Sequence, residues 1–190
     1  MATPKFTFDP SLSEWNIPAQ QWLTTHDKHW DGLATASLVF DAEGRVLLLQ
    51  RASHDSMPNL WETPGGAVDN EDASVLHGAA RELQEEAGLV ANRFTHIVTK
   101  AAAGETPGFV FTNRTGTRFF FRITFAADVD DCSVVTLDPN EHQAFVWATE
   151  QEVSDEKIGD RAIPITNPQT KLHLLEGFRL RKETSESLKL

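Results

Sequence analysis

Residues 65–89 read GGAVDNEDASVLHGAARELQEEAGL, and this stretch decides the fold. Pro64, Gly65 and Gly66 are breakers, and Asp69, Asn70, Glu71 and Asp72 are residue types that favour turns and helix starts. A helix is expected from Ala73, because Leu76, Ala80, Leu83 and Ala87 recur at steps of four and three and Gly88 stands where a C-terminal cap belongs. At ~100° per residue, Glu82, Glu85 and Glu86 project from one patch turned away from the Leu76/Leu83 stripe. Carboxylates at these spacings repel, and Glu near a helix C-terminus opposes the macrodipole. A dication would repair the arrangement. Hard oxygen ligands suit Mg²⁺ or Mn²⁺, which keeps some waters and completes its shell with substrate phosphate oxygens. The competing reading is an ordinary solvated helix face.

Arg81-Glu82-Leu83-Gln84-Glu85-Glu86-Ala87-Gly88-Leu89 resembles the second half of the Nudix box at every position. The first half of that box has Gly, five residues, Glu, then seven residues before the Arg. Here Asp72 follows Gly66 at the right distance, and eight residues, Ala73 to Ala80, precede Arg81. The first half is therefore one residue long, with Asp72 substituting for the Glu. The resemblance implies an α/β protein, an α/β/α sandwich with a mixed β-sheet, that hydrolyses a diphosphate linked to another moiety with the help of a divalent metal. Carried onto matching positions, Glu82, Glu85 and Glu86 would be metal ligands, Gly66 would offer its backbone carbonyl, and Arg81 would brace the carboxylates.

A chain of 190 residues, 40% hydrophobic, can bury one sizeable core. The expected organisation is an N-terminal extension over 1–31 that packs on the domain, the catalytic domain over 32–182 and a tail over 183–190. A formal net charge of -11 argues against a nucleic-acid polymer or an anionic membrane as partner, since both need a basic footprint. An anionic substrate then needs metal and a few local cations to overturn the global repulsion. Cys132 is alone, so an intrachain disulfide is excluded, and a reducing, cytoplasmic setting fits. The first residues lack a signal-peptide core, and no run reaches the ~18 apolar residues of a membrane span.

Along the chain, Trp22, His26 and Trp30 recur every four residues, as on one face of a helix that packs on the domain or lends an aromatic wall to a substrate. Leu33 to Phe40 and Val46 to Gln50 read as a hairpin around the turn Asp41 to Gly44. Arg51 at the strand end is placed to meet a phosphate, and Trp61 anchors the next loop or stacks on a ring. Ala101 to Gly116 reads as a long hairpin loop or a substrate-selecting flap. Thr117 to Val129 alternates cleanly, with Arg118 and Arg122 on the side away from Phe121 and Phe125; either could hold a phosphate. Nudix enzymes often draw one more carboxylate from outside the box, and Glu141, in an acidic loop before a late strand, is the choice, with Asp138 as fallback. Asn167-Pro168 opens a final helix with Leu172, Leu175 and Phe178 facing inward.

The function expected from these readings is hydrolysis of a phosphoanhydride in a nucleoside diphosphate-linked or similar substrate. Glu85, Glu86, Arg81 and Glu141 would be catalytic, with Glu86 or Glu141 taking the proton, and Arg51, Trp61 and Arg118 would bind substrate. Two alternatives stay open: a non-catalytic nucleotide sensor, and a prenyl diphosphate hydrolase. An isopentenyl diphosphate isomerase is disfavoured, because Cys132 lies late and has no partner motif. Many Nudix relatives form homodimers, so a dimer is compatible with the resemblance.

Overall fold

The computed structural model describes residues 5–99, 107–113 and 115–187. Much of the loop or flap expected over 101–116, and the end of the tail, lie outside the described residues. In chain order the elements are β1 (Thr7–Phe8), a 3-10 turn (Pro10–Trp15), α1 (Ala19–Thr25), β2 (Gly32–Leu38), β3 (Val46–Arg51), β4 (Trp61–Glu62), α2 (Val75–Ala87) and β5 (Ala91–Ile97). Then come β6 (Phe109–Thr112), β7 (Phe119–Val129), β8 (His142–Ala148), α3 (Glu150–Asp155), β9 (Lys157–Ile158), β10 (Arg161–Ala162) and α4 (Pro168–Ser187).

The long strand β7 is the spine. It pairs in parallel with β2 along one edge and antiparallel with β5 and β6 along the other, and β1 extends β5 in parallel. A second, antiparallel sheet runs β4-β3-β8. Alternation along β7 serves two layers. Phe121, Ile123 and Phe125 are buried in a core shared with α2 and the N-terminal segment. Ala126 joins a second core with Trp61, Val153, Ile163, Leu174 and Phe178, beneath α3 and α4. Helices therefore cover both faces of a mixed sheet, the α/β/α layering expected.

Three local expectations need correction. The turn over 41–44 forms, with Asp41 accepting Arg45 N–H at 2.8 Å, but β2 and β3 separate after a single bridge between Phe40 and Val46. The edge of β2 that a hairpin partner would occupy is taken by the loop 64–68: Thr35 N–H donates to Gly66 O and Ser37 N–H to Pro64 O, each at 2.8 Å, and Val68 N–H donates to Leu33 O at 2.9 Å.

The helix expected through Trp30 stops at Thr25. Its rings stack into the core: Trp15 on Trp22 at 4.5 Å, His26 on Trp22 at 4.0 Å, and Trp30 on Phe121 at 4.2 Å. Phe121 points away from the Phe120/Arg122 side of β7, so these aromatics support the sheet from beneath.

The inward face of α4 includes Phe178 and, partly, Leu175 as expected, but is rotated away from Leu172. Leu172 is exposed, while His173, Leu174, Gly177 and Phe178 are buried. Gly177 sets this face, because a Cβ there would come within 2.1 Å of Leu38 Cδ2, so the helix docks closely where it has no side chain.

Candidate active site

The loop 64–68 and α2 form one unit. Ser74 caps the helix by accepting His77 N–H at 3.2 Å, and Gly88 closes it in the left-handed region at φ 69° with its N–H on Gln84 O. Val75, Leu76, Ala79, Ala80, Leu83 and Ala87 are buried. Gly65 is held at φ +148°, and a Cβ there would lie 2.2 Å from Thr35 O, so only glycine lets the loop run this close to β2. Gly65 N–H donates to Glu86 Oε2 at 2.6 Å, which ties loop to helix. A Cβ on Gly66 would fall 2.8 Å from the Glu82 carboxylate, so this glycine leaves that carboxylate its space.

Arg81 gathers the acidic groups. It donates to both oxygens of Asp72 at 2.9–3.0 Å, to Glu82 Oε1 and Glu85 Oε2 at 2.9 Å, and to Ala67 O at 2.9 Å. Asp72 thus anchors Arg81 across the longer first half of the box. Glu82 is pushed up to about 7 chiefly by burial, which outweighs the pull of Arg81, with smaller repulsions from Glu85 and Glu141 adding to the rise. Glu86, 5% exposed, is held well above the usual carboxylate range by burial and by Glu62, Glu82 and Glu141, although the Gly65 N–H opposes the shift. The three box glutamates do not share one solvated face, because Glu86 turns inward.

Glu141 is exposed in the turn before β8, yet it joins the box: Glu86, Glu141 and the buried His142 each offer a donor atom within 4.8 Å of the others. Nδ1 of His142 is buried without a hydrogen-bond partner, and Nε2, also buried, lies 3.5 Å from Glu62 Oε1. This donor set fits a divalent cation. Its carboxylates are hard ligands, burial and neighbouring carboxylates have made Glu86 reluctant to ionise, and a cation would offset that repulsion. Gly66 O already accepts Thr35 N–H, which leaves one lone pair for an ion.

A cavity of about 730 Å³ opens above this floor. Its lining includes Arg51, Glu62, Gly65 and Gly66, the β6 and β7 residues Phe109, Phe111, Phe120 and Arg122, and Asn167 and Gln169 at the start of α4. Arg51 therefore reaches the cavity, whereas two other residues expected to touch substrate do not. Trp61 is 0% exposed, and its ring is covered by Arg161 at 4.8 Å. It is a core anchor with no face left to stack on a ligand. Arg118 is exposed in the turn ahead of β7; Arg122, four residues on and on the same side of the strand, lines the cavity instead.

Glu62 is the residue that sequence reasoning missed. It is 4% exposed and forms ion pairs with Arg51, with Arg122 at 3.9 Å and with His142 at 3.5 Å. Burial alone would raise its pKa, but His142 and the two arginines outweigh burial and hold it below the usual range, so it is charged. Its one sequence signal is position, directly before the Thr63-Pro64-Gly65 turn that touches Glu86.

Comparison with known proteins agrees with this geometry. The chain is 26% identical over 133 residues to the CTP pyrophosphohydrolase of Escherichia coli K12, covering 70% of this chain and 87% of that protein. Among solved structures, a MutT protein from Methanosarcina mazei Go1 superposes with a TM-score of 0.59 at 22% identity, over 80% of this chain and 95% of that one. The NUDIX domain of Shewanella oneidensis NrtR, solved with ADP ribose, does so at 0.57 with 18% identity, over 86% and 97%. The NUDIX domain model matches residues 30–169, the span that carries the box, the extra carboxylate and the cavity, and so this chain belongs to the Nudix hydrolase family.

Proposed function

We propose that this protein is a divalent-metal-dependent hydrolase of the phosphoanhydride bond in a nucleoside-linked diphosphate. The observation that carries this reading is the convergence of Glu86, Glu141 and His142, with Glu82 close enough to repel Glu86, beside the Gly65–Gly66 edge of a cavity lined by aromatic rings. Mg²⁺ or Mn²⁺ held by Glu82, Glu85, Glu86 and the Gly66 carbonyl would neutralise the diphosphate and lower the pKa of an attacking water.

The chain's own residues do the rest. Arg81 fixes Glu82 and Glu85 through paired hydrogen bonds, so the ligands are oriented before substrate arrives. The N–H of Gly65 orients Glu86. Glu86 or Glu141 accepts the proton of the water, Glu141 having the solvent access needed to pass it on. Phe111 and Phe120 lie 5.7 Å apart with planes 26° from parallel, offering a flat surface for a base, and the amides of Asn167 and Gln169 can read its edge. That amide-bearing wall favours a nucleotide over a prenyl tail. The names of the relatives, a CTP pyrophosphohydrolase and a domain solved with ADP ribose, support the same class.

The test is a hydrolysis screen over nucleoside triphosphates, nucleotide sugars, dinucleotides and prenyl diphosphates with Mg²⁺ and Mn²⁺. Metal-dependent release of phosphate products from a nucleotide is expected. Tight nucleotide binding with no release would make the protein a sensor, and cleavage of prenyl diphosphates alone would overturn the nucleotide reading.

A further inference from the structure

Two arginines face the cavity, and their surroundings differ. Four of the five N–H donors of Arg51 are engaged. Its Nε donates to Ser56 O at 2.6 Å, Nη1 to Glu62, and Nη2 to Asp55 and to Ser56 Oγ at 3.0 Å. Two carboxylates balance its charge, and these four bonds tie the loop after β3 to β4. A phosphate could take a single N–H from this guanidinium, and a bidentate grip would have to break one of these bonds.

Arg122 is held by charge and not by saturation. Its Nη2 lies 3.4 Å from Thr63 O and 3.5 Å from Thr63 Oγ1, at the outer limit of a hydrogen bond, and its one ion pair among the described residues is to Glu62 at 3.9 Å. The side chain is nonetheless only 12% exposed, so its direction is fixed by the cavity wall. Behind it, His173 is held down at about 4 by burial and by Arg122 itself, which leaves no second cation there at neutral pH. A guanidinium with unfilled N–H donors, one buried counter-ion behind it and open cavity ahead is suited to bidentate contact with a phosphate.

We propose that Arg122 is the cavity's phosphate-gripping cation and that Glu62 is the positioning residue that aims it, while Arg51 is committed to the scaffold. Glu62 sits at the junction of Arg51, Arg122 and His142, so one buried carboxylate sets both the loop and the grip. This rests on the diphosphate hydrolase reading above.

The experiment compares Arg122→Gln, Arg122→Lys, Glu62→Gln and the Glu62→Gln/Arg122→Gln double variant. It reads KM and kcat on the panel member cleaved fastest and calorimetric binding of imidodiphosphate, a base-free, non-cleavable diphosphate, with Mg²⁺. Arg122→Gln is expected to raise KM and weaken imidodiphosphate binding on the order of 30-fold with kcat within about 3-fold, and Arg122→Lys to recover part of the loss. Glu62→Gln is expected to raise KM about 10-fold alone and by less than about 2-fold when Arg122 is already Gln, because it acts through that residue. A merely structural Glu62 would lower thermal stability without this coupling in KM.

Multiplying effects in the double variant, or an Arg122→Gln enzyme with wild-type KM and imidodiphosphate affinity, would overturn the proposal while leaving the hydrolase intact. Should the Gln variant fail to fold, an unchanged KM in Arg122→Lys together with an unchanged KM in Glu62→Gln overturns it equally. A wild-type protein that neither cleaves any panel member nor binds imidodiphosphate removes the hydrolase reading and this one with it.

Discussion

The floor and the far wall of the cavity are built on opposite plans. On the floor the buried and half-buried acidic groups are cross-braced: Glu86 by the Gly65 N–H, Asp72, Glu82 and Glu85 by Arg81, Glu62 by two arginines and a histidine. The wall is held by ring packing and by β6, which among the described residues is bonded along one edge only, to β7. Its residues stay half open, with Phe111 36% and Val110 47% exposed. Under the proposed function the difference separates two tasks. Chemistry needs atoms fixed before substrate arrives, and the floor fixes them at the cost of crowded charge. Selection needs only a surface of suitable shape, which the wall can change without disturbing the floor.

The sharpest way to break this comparison is Glu86→Gln. Turnover is expected to fall on the order of 10³-fold. The metal-free protein should at the same time melt higher, because one of several buried like charges is gone while an amide oxygen still accepts the Gly65 N–H. Steady-state kinetics and calorimetry on the same preparation check both signs, and a lower melting temperature would show that the floor is not strained by charge.

Gly65→Ala tests the backbone of the floor. With φ at +148° and a neighbouring carbonyl 2.2 Å from the new methyl, it is expected to cost at least about 2 kcal/mol in denaturant unfolding.

The two sides also differ in how they respond to pH. His173, behind the wall and edge-on to Phe109, has its pKa lowered to about 4. It contributes stability above its unfolded value near 6.5, and this is lost as pH falls toward 4. The loss is up to about 3 kcal/mol, and His173→Gln should flatten that limb of a stability-against-pH curve. Glu82 has its pKa raised to about 7, so its contribution is present below about 4.5 and lost as pH rises through 7. Saturating Mg²⁺ should therefore raise the melting temperature more at pH 8 than at pH 5.5, and an equal rise at both would count against Glu82 as a ligand.

The smallest effect belongs to the wall. Phe111→Ala should raise KM for a nucleotide about 5-fold and change unfolding free energy by less than about 0.5 kcal/mol, since the ring is already partly in solvent.

Legibility in the sequence follows the same division. The α2 helix, its glycine cap and the carboxylates it carries are local features whose spacing along one helix is their spacing in space, so the box could be read directly. Asp72 and Arg81 come together although the loop between them is one residue longer than the family pattern, because Arg81 is long enough to reach. The pairing of β2 with a loop instead of β3 could not be read that way, since either partner offers the same N–H and C=O groups. The inward face of α4 was read only in part, Phe178 and Leu175 meeting the core and Leu172 not, for a related reason: Gly177 has no hydropathy to announce that it is a point of contact.

What the sequence determined by itself was the box helix with its glutamates and, through that box, the Nudix hydrolase family and its α/β/α class. What tertiary structure alone decided was which cations face the cavity, that Trp61 is core, and that Glu62 is buried at their junction. A periodic helix carries its own geometry in its spacing, whereas a strand residue's surroundings depend on which strands and loops close over it, and that is fixed only when the whole chain packs.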